Sequence, residues 1–367
     1  MAITYTATSN PGGLTGTALD GLPIEVTGLT LGTPYTFTVT ATDDVVGAAS
    51  AASASVTPVV YVGKLYTWGG NVLGQLGDGT VIKRSSPVQV GAGTTWLKIS
   101  ASRHKNIAIQ KNGTLWSWGY NTAGQLGLRD DLDRNSPVQI GALTTWLLPA
   151  GSGYTGAAIK TNGTLWVWGY NAQGQLGVSM DAYAHRSSPV QVGTGTTWRN
   201  ITGGLRFVMA TKTDGTLWLW GANNYGQLGQ GDDTNKSSPV QVGTGTTWSN
   251  IATTMYATAA TKTDGTLWVW GYGSNGEQGN NTTTFKSSPT QVGALTTWTK
   301  ISGGGGSFFA TKNDGTQWAW GRNDEGQLGD GTIISKSSPV QVGTATTWSS
   351  VKIVPTVLSV SFIKNSV

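Results

Sequence analysis

One stretch of ten residues decides the fold: Trp220-Gly221-Ala222-Asn223-Asn224-Tyr225-Gly226-Gln227-Leu228-Gly229. Versions of it begin at Trp68, Trp118, Trp168, Trp220, Trp270 and Trp320, at steps of 50, 50, 52, 50 and 50 residues. A repeat of this length is typical of architectures built from one supersecondary unit per period. The chain of 367 residues therefore contains one large repeat domain and a shorter N-terminal segment.

Each period contains four predicted strands, and residues 198–242 serve as the example. Strands are predicted over 199–202, 207–212, 216–220 and 237–242, with a tight hairpin turn between the second and the third. Trp218 and Trp220 leave the same face of their strand, because side chains alternate with a period of two. All 17 Trp residues recur at such positions, which predicts that they pack between neighbouring sheets. Four strands in one period make one propeller blade.

The two ends of the repeat region are complementary. The first repeat begins near residue 59 without two leading strands, and the last unit, 348–367, supplies two strands, predicted over 351–354 and 358–363. Pairing these ends would close the ring and remove free sheet edges. The sequence therefore predicts an all-β protein, with a six-bladed β-propeller over 59–367 and a small β-domain over 1–58.

The N-terminal segment resembles the end of a fibronectin type III domain. The likeness lies in residues 29–41, where Leu31 and Tyr35 are spaced like the pair that forms a tyrosine corner. Because it covers only the second half of such a domain, it implies a truncated module. One alternative is a compact domain that covers itself by packing on the rest of the chain. The other is a sheet that a strand from another chain completes.

The repeat from Asp214 to Gly229 resembles the repeats of the regulator of chromosome condensation family, whose pattern is similar to Asp-Gly-Thr-Leu-Trp-x-Trp-Gly-x-Asn-x-x-Gly-Gln-Leu-Gly. This resemblance implies a β-propeller that binds other proteins. Family members include exchange factors for small GTPases that also bind nucleosomes, and inhibitors that engulf secreted hydrolases with loop aromatics. The fifth repeat departs from the pattern at Gly273, Glu277 and Gln278, so its loop is expected to be less well anchored.

Composition and charge argue against several function classes. The net charge of +5, from 23 basic and 18 acidic residues, lacks the clustering typical of nucleic-acid-binding proteins. The chain has no Cys and only His104 and His185, so we expect no disulfide, no metal site and no cofactor. We also expect no membrane span and no signal peptide, because a long apolar segment is missing.

Candidate binding residues lie on one face of the propeller. The strand order places two loops of every repeat there, one between the first two strands and one after Gly-Gln-Leu-Gly, and we call it the variable face because these loops differ between repeats. Exposed aromatic and Arg side chains often dominate binding interfaces. The candidates are Arg103, His104, Lys105, Tyr154, Arg206, Phe207, Met255, Tyr256 and Phe308. In the alternative interpretation, Phe207 and Phe308 begin a strand and pack inward, and His104 shapes its turn.

A ring of basic residues is a second candidate on this face. One base precedes the Pro of each Ser-Pro pair by three positions: Arg84, Arg134, Arg186, Lys236, Lys286 and Lys336. Such a ring would bind an anionic polysaccharide or phosphate, whereas the alternative is local pairing within each repeat.

No catalytic site is predicted. Asp214, Asp264 and Asp314 occupy hairpin turns in which Asn112 and Asn162 replace them, which indicates turn chemistry rather than acid-base catalysis. We therefore expect a binding or structural protein and not an enzyme.

The combination of a fibronectin-like module with uniform Thr-rich and Trp-rich repeats resembles proteins that tailed bacteriophages display on virions. This implies a tail fibre, adhesin or decoration protein at the virion surface, or extracellular after lysis. Residues 1–58 would bind other virion proteins, and the propeller would bind a host-surface glycan or protein. Alternatives are a soluble bacterial propeller that binds or inhibits a protein partner and, more remotely, an exchange factor for a small GTPase. A homo-oligomer is compatible with these functions.

Overall fold

The structure is a computed structural model that describes residues 3–19, 24, 26, 29–30, 33–42, 46–57, 63–93, 95–102, 104–178, 184–345 and 359–365, with 18–19 and 359–365 described by their backbone alone. These residues form strands, turns and loops and contain no helix. The chain divides into two compact units, 1–61 and 62–367.

The first unit contains a three-stranded antiparallel sheet in the order β2-β1-β3, formed by β1 (Thr4–Asn10), β2 (Thr15–Leu19) and β3 (Thr36–Thr42). Residues 50–56 follow the outer edge of β3. The N–H groups of Ser50 and Ser53 donate to carbonyls of β3, and their hydroxyls accept N–H groups from the same strand. The edge of β3 is therefore hydrogen-bonded within this unit along that stretch.

Tyr35 makes the hydrogen bond that a tyrosine corner predicts. Its ring is buried, and its hydroxyl accepts the backbone N–H of Thr30 at 2.9 Å. Leu31, the other residue predicted for this corner, lies outside the described residues.

The second unit begins with β4 (Gly63–Gly69) and β5 (Arg84–Gln89), which pair with each other, and continues with five antiparallel sets of four strands. In every set the strands follow in chain order. The sets are sheet I (β6 Trp96–Ala101, β7 Lys105–Gln110, β8 Leu115–Gly119, β9 Arg134–Gln139), sheet II (β10 Trp146–Gly151, β11 Thr155–Lys160, β12 Leu165–Gly169, β13 Arg186–Gln191), sheet III (β14 Trp198–Gly203, β15 Phe207–Lys212, β16 Leu217–Gly221, β17 Lys236–Gln241), sheet IV (β18 Trp248–Thr253, β19 Ala257–Lys262, β20 Leu267–Gly271, β21 Lys286–Gln291) and sheet V (β22 Trp298–Gly304, β23 Ser307–Lys312, β24 Gln317–Gly321, β25 Lys336–Gln341).

The four strands predicted in residues 198–242 are confirmed by sheet III. The first strands of sheets I to V contact one another in sequence and line a central cavity of about 410 Å³. Repeated four-stranded sheets around a central cavity are the architecture of a β-propeller.

The last described strand, β26 (Ser359–Asn365), pairs antiparallel with β4, from Ser359 opposite Gly69 to Asn365 opposite Gly63. This is the predicted pairing between the two ends of the repeat region. The other strand predicted near the C terminus, 351–354, lies outside the described residues.

The Trp side chains pack between neighbouring sheets, as predicted. Trp198 and Trp220 of sheet III are buried against Leu165 and Val167 of sheet II. Leu219 precedes Trp220 in β16 and points to the opposite face of that strand, where it packs against the Trp residues of sheet IV. The alternation along β16 therefore places one face of the strand in each inter-sheet core.

Candidate functional site

A set of hydrogen bonds that recurs from repeat to repeat fixes the loops of the variable face. The second Trp of each Trp pair is fully buried and donates its indole N–H to a backbone carbonyl of the preceding repeat, in its Gly-Gln-Leu-Gly loop or, in the fifth repeat, its Gly-Glu-Gln-Gly loop. The pairs are Trp118 to Gln75, Trp168 to Gln125, Trp220 to Gln175, Trp270 to Gln227 and Trp320 to Glu277, at 2.9 to 3.1 Å. Each loop is therefore held by the sheet that follows it.

The long loop of a repeat is anchored by its Asn. In sheet III the amide of Asn223 donates to the carbonyl and carboxylate of Asp232, and its oxygen accepts the N–H of Leu228. The fifth repeat lacks this Asn, but the amide of Gln278 donates to the carbonyls of Gly271 and Tyr272 at 2.9 Å. These bonds reach the segment before Gly276 and not the long loop, and the side-chain oxygen of Gln278 accepts no hydrogen bond in the described structure. The weaker anchoring expected for this loop therefore stays a prediction.

One residue of each repeat projects from the turn between the first two strands, and we call these sites the turn positions. Their backbone carbonyls accept the N–H of a residue just after the third strand, which we call the partner position. The pairs of turn and partner positions are His104 with Tyr120, Tyr154 with Tyr170, Arg206 with Ala222, Tyr256 with Tyr272, and Gly306 with Arg322. The backbone scaffold is the same at all five pairs, whereas the side chains differ.

Aromatic side chains cluster at these positions. The rings of Tyr154 and Tyr170 lie 5.9 Å apart, and His185 stacks on Tyr170 at 4.7 Å. A second cluster is formed by Tyr225, whose ring lies 5.2 Å from each of three other rings: Tyr256, Tyr272 and Phe285. Phe285 is 47% exposed. The two clusters present aromatic surface in neighbouring repeats of one face.

Arg206 lies between the two clusters. Its guanidinium carbon is 5.8 Å from the ring centre of Tyr154 and 5.7 Å from that of Tyr170. On its other side is a cavity of about 190 Å³, lined by Arg206, Ala222, Tyr225, Tyr256 and the amide residues Gln173, Asn224 and Gln227. Two of the predicted binding residues, Arg206 and Tyr256, line this cavity together.

Three predicted binding residues are corrected by the structure. Phe207 and Phe308 are fully buried, as in the alternative interpretation, because they begin the second strand or lie one residue inside it. Lys105 occupies the same strand start in sheet I and is 1% exposed. His104, Tyr154, Arg206, Met255 and Tyr256 lie in the turns, and Arg103 lies outside the described residues.

Lys105 is a buried amine near the central cavity. Its Nζ donates to the carbonyl of Ser152 and lies 3.4 Å from the hydroxyl of Ser102, and both serines line that cavity. Burial lowers the pKa of Lys105 to about 7.

Four members of the basic ring are paired locally. Arg84 binds Asp78 at 2.7 Å, Lys236 binds Asp232 at 2.8 Å, and equivalent pairs join Arg134 to Asp130 and Lys336 to Asp330. Burial opposes ionisation of Asp330, but hydrogen bonds from Thr332, Lys336 and Asn323 lower its pKa to about 2. Arg186 and Lys286 begin the equivalent strands β13 and β21. Local pairing thus reduces the charge that this ring would offer to an anion.

The hairpin carboxylates are structural. Asp214 accepts the N–H and hydroxyl of Thr216, at 2.9 and 2.6 Å, and that hydroxyl accepts the indole N–H of Trp218. The hydrogen bonds from Thr216 lower the pKa of Asp214. Asn112 and Asn162 make the same turn contacts in sheets I and II, so these positions select for an acceptor oxygen and not for charge.

No helix long and apolar enough to cross a membrane occurs in the described part of the chain. Within those same ranges, no group of three or more His, Asp or Glu residues could hold a metal ion.

Family models match most of the chain. Residues 33–309 match the model described as RCC1-like domain, and residues 314–354 match the regulator of chromosome condensation (RCC1) repeat. No curated protein matches the chain.

Solved structures share the fold at low sequence identity. A crystal structure of Kap60 bound to yeast RCC1 (Prp20) is 18% identical, with a TM-score of 0.68 over 78% of this chain and 74% of that chain. Human WBSCR16 is 19% identical, with a TM-score of 0.61 over 77% and 94%. Prp20p from Saccharomyces cerevisiae, studied with its binding to Gsp1p and histones, is 16% identical, with a TM-score of 0.52 over 78% and 88%. These likenesses support the propeller fold.

Proposed function

Because the chain belongs to the RCC1-like domain family, we propose that it is a non-enzymatic protein that binds a protein partner through its variable face. The observation that carries this proposal is the contrast at the turn positions. The backbone bonds repeat from sheet to sheet, but the projecting residues change from His104 to Tyr154, Arg206 and Tyr256. Binding surfaces are commonly built by varying loops on a rigid scaffold.

The chemistry of these residues suits protein recognition. Tyr and Arg are enriched among residues that dominate interface energetics, because they combine apolar area with a polar end. Tyr225, Tyr256, Tyr272 and Phe285 supply such area, and Arg206 supplies an exposed charge. The yeast relative Prp20p, studied with its binding to Gsp1p and histones, provides a precedent for protein binding on this fold.

The finer parts of the proposal concern architecture and location. We propose that β26, β4 and β5 belong to a sixth blade that closes the ring, and that residues 1–58 form a fibronectin-like module that attaches the protein to a larger assembly. The assembly proposed is a bacteriophage virion, where the protein would act as a tail fibre, adhesin or decoration component. The pairing of β26 with β4 and the Tyr35 hydrogen bond support the architectural part.

Capture of the partner tests the binding surface. Purified protein is immobilised and incubated with native source material, and captured proteins are identified by mass spectrometry. The face variant Tyr154→Ser with Arg206→Ser and Tyr256→Ser is expected to lose the captured partner and retain its thermal unfolding temperature within a few degrees.

The matched control changes apolar residues on the opposite face. Leu143 and Leu295 are about half exposed in the links between sheets, so Leu143→Ser with Leu295→Ser is expected to capture the partner as the wild type does. Equal capture by the face variant and the wild type would refute the proposed surface.

Location is tested by immunogold electron microscopy with an antibody against residues 62–367. Label at a fixed position on phage particles would support the virion proposal. Label found only on soluble protein would overturn it and favour the soluble propeller that binds or inhibits a protein partner.

A further inference from the structure

The cavity beside Arg206 lies at the partner position that has the smallest side chain of the five. At the other four pairs the partner position carries a large residue, Tyr120, Tyr170, Tyr272 or Arg322, that lies against its turn position. The first repeat has Gly70 at the corresponding place, and its turn lies outside the described residues. In sheet III this position is Ala222, and the cavity of about 190 Å³ lies there. Ala222 is thus the smallest side chain at the five partner positions, and the cavity lies beside it.

The charge in this recess is not neutralised by the protein. In the ranges that the structure describes, no carboxylate forms an ion pair with Arg206, whereas Arg84, Arg134, Lys236 and Lys336 all have one. Two tyrosine rings hold the guanidinium of Arg206 instead. An Arg held by aromatic rings keeps its planar set of N–H donors available for a bidentate partner.

The other walls supply hydrogen-bonding groups and aromatic contacts. Gln173, Asn224 and Gln227 line the recess together with the aromatic residues Tyr225 and Tyr256. The carboxamide oxygen of Gln173 is buried and has no hydrogen-bond partner within the described structure. The Arg206 guanidinium can donate to a planar anion, and the unsatisfied oxygen of Gln173 can accept an N–H from the group beside that anion.

We propose that this recess binds the carboxylate side chain of one acidic residue, Asp or Glu, presented by the protein partner. The proposal rests on the proposed function and specifies its chemistry. Arg206 forms a bidentate ion pair with the carboxylate, the amides bind the adjacent peptide group, and the Tyr225 cluster contacts an apolar residue next to the acid.

Size and ring access favour a peptide side chain over an acidic sugar. Benzene binds in a cavity of about 150 Å³. The recess of about 190 Å³ is therefore large enough for one amino-acid side chain. The rings nearest to Arg206 are already covered by other side chains, which leaves less ring surface for a sugar to stack on. Here Arg206 lies against Tyr154 and Tyr170, His185 stacks on Tyr170, and Tyr225 meets three other rings.

Calorimetric titration with defined probes tests the proposal. The probes are the blocked peptides acetyl-Ala-Phe-Glu-Phe-Ala-amide and its Gln counterpart, together with the methyl glycosides of N-acetylneuraminic acid and glucuronic acid. We expect the Glu peptide to bind at least tenfold more tightly than the Gln peptide and than either sugar.

Variants link this preference to the recess. Arg206→Gln and Ala222→Tyr are each expected to weaken binding of the Glu peptide at least tenfold, the first by removing the charge and the second by filling the recess. Arg199→Gln removes an exposed charge from β14 of the same sheet and is expected to bind within twofold of the wild type. If Ala222→Tyr does not fold, the binding of the Glu peptide by Arg206→Gln alone tests whether the recess is the binding site.

Three results would overturn the proposal. The first is a Glu peptide that binds no better than the Gln peptide, which includes no binding of either. The second is unchanged binding by Arg206→Gln, and the third is tighter binding of a sugar than of the Glu peptide. The capture experiment judges the proposed function separately, because its face variant also removes Tyr154 and Tyr256. Partner capture that depends on that face, combined with equal binding of both peptides, would retain the function and reject the acidic residue.

Discussion

The indole Nε1 of Trp220 donates a hydrogen bond to the backbone carbonyl of Gln175, 3.0 Å away in the preceding sheet. The donor belongs to the third strand of sheet III, and the acceptor belongs to the loop that carries part of the variable face of sheet II. Inter-sheet packing and the position of a binding loop are therefore controlled by the same side chain.

Trp220→Phe should destabilise the second unit by about 2 to 4 kcal/mol, because it leaves a buried carbonyl without its donor and a gap in the core. The comparison is Trp218→Phe, since Trp218 is half-buried and bonds to Thr216 within its own sheet. Trp218→Phe should therefore lower the free energy of unfolding by less than Trp220→Phe does. Urea unfolding followed by circular dichroism measures both, and equal losses would contradict a special role for the inter-sheet bond.

Gly177→Ala tests the contact on the other side of the same indole. Gly177 has φ +66°, and a Cβ there would lie 2.7 Å from the Nε1 of Trp220. Gly193 has φ +57° with nothing within 4 Å of its Cβ position, so Gly193→Ala carries the backbone strain alone, about 1 kcal/mol. We expect Gly177→Ala to lower the free energy of unfolding by at least about 1 kcal/mol more. Chemical denaturation of the two variants checks this difference, which would vanish if Trp220 could shift freely.

Glu277→Gln should stabilise the protein at pH 7. Glu277 is 1% exposed and accepts the N–H and the side-chain amide of Asn275, both at 2.9 Å. Burial raises its pKa, so the folded state disfavours the carboxylate and the wild type loses stability as the pH rises through the carboxyl range. The gain from Gln should therefore shrink as the pH falls towards 4.

Gln227→Glu is the reverse substitution at the equivalent position and should destabilise the protein at pH 7 more than at pH 4. Thermal unfolding across this pH range measures both variants. A gain from Glu277→Gln that is independent of pH would exclude the carboxyl group as its source.

Lys105→Met should change the pH dependence of stability between about pH 7 and 10.4. The folded pKa of about 7 lies below the value of an exposed Lys, so the unfolded state binds the extra proton in this interval and the wild type gains stability as the pH rises. The slope has an upper limit of about 1.4 kcal/mol per pH unit. The variant lacks this slope, and its advantage is therefore greatest below pH 7.

Lys111→Met is the control, because Lys111 is exposed in a hairpin turn. Its stability should run parallel to that of the wild type from pH 6 to 10. Parallel curves for Lys105→Met and the wild type would show that the burial of Lys105 carries no proton-linked cost.

The scaffold could be predicted from the sequence because it is written into every repeat. Trp218 and Trp220 recur with fixed spacing, and the alternation of side chains along a strand then assigns their direction. Which side chains of the variable face are exposed is harder to predict from the sequence. Phe207 comes directly after Arg206, yet one is buried and the other exposed, because the second strand begins between them and a shift of one residue reverses the direction of a side chain.

The recess beside Arg206 could not be inferred from residue types because Ala222 attracts no attention by itself. An alignment of the repeats would have drawn attention to it, because Tyr120, Tyr170, Tyr272 and Arg322 stand where sheet III has Ala222 and the first repeat has Gly70. The ion pairs of the basic ring left a clearer signal: an Asp four or six positions before Arg84, Arg134, Lys236 and Lys336. That spacing favours local neutralisation over an anion site.

The pairing of β26 with β4 has a consequence for folding kinetics. Sheets I to V each assemble from consecutive segments, so their contacts are close in the chain and can form early. The strands β4 and β26 come from opposite ends of the repeat region, and their encounter must overcome a larger chain entropy. Until they meet, the edge of β4 is free to accept the same strand from a second molecule. The slow step of folding is therefore expected at this junction, where high protein concentration would promote exchange of β26 between chains.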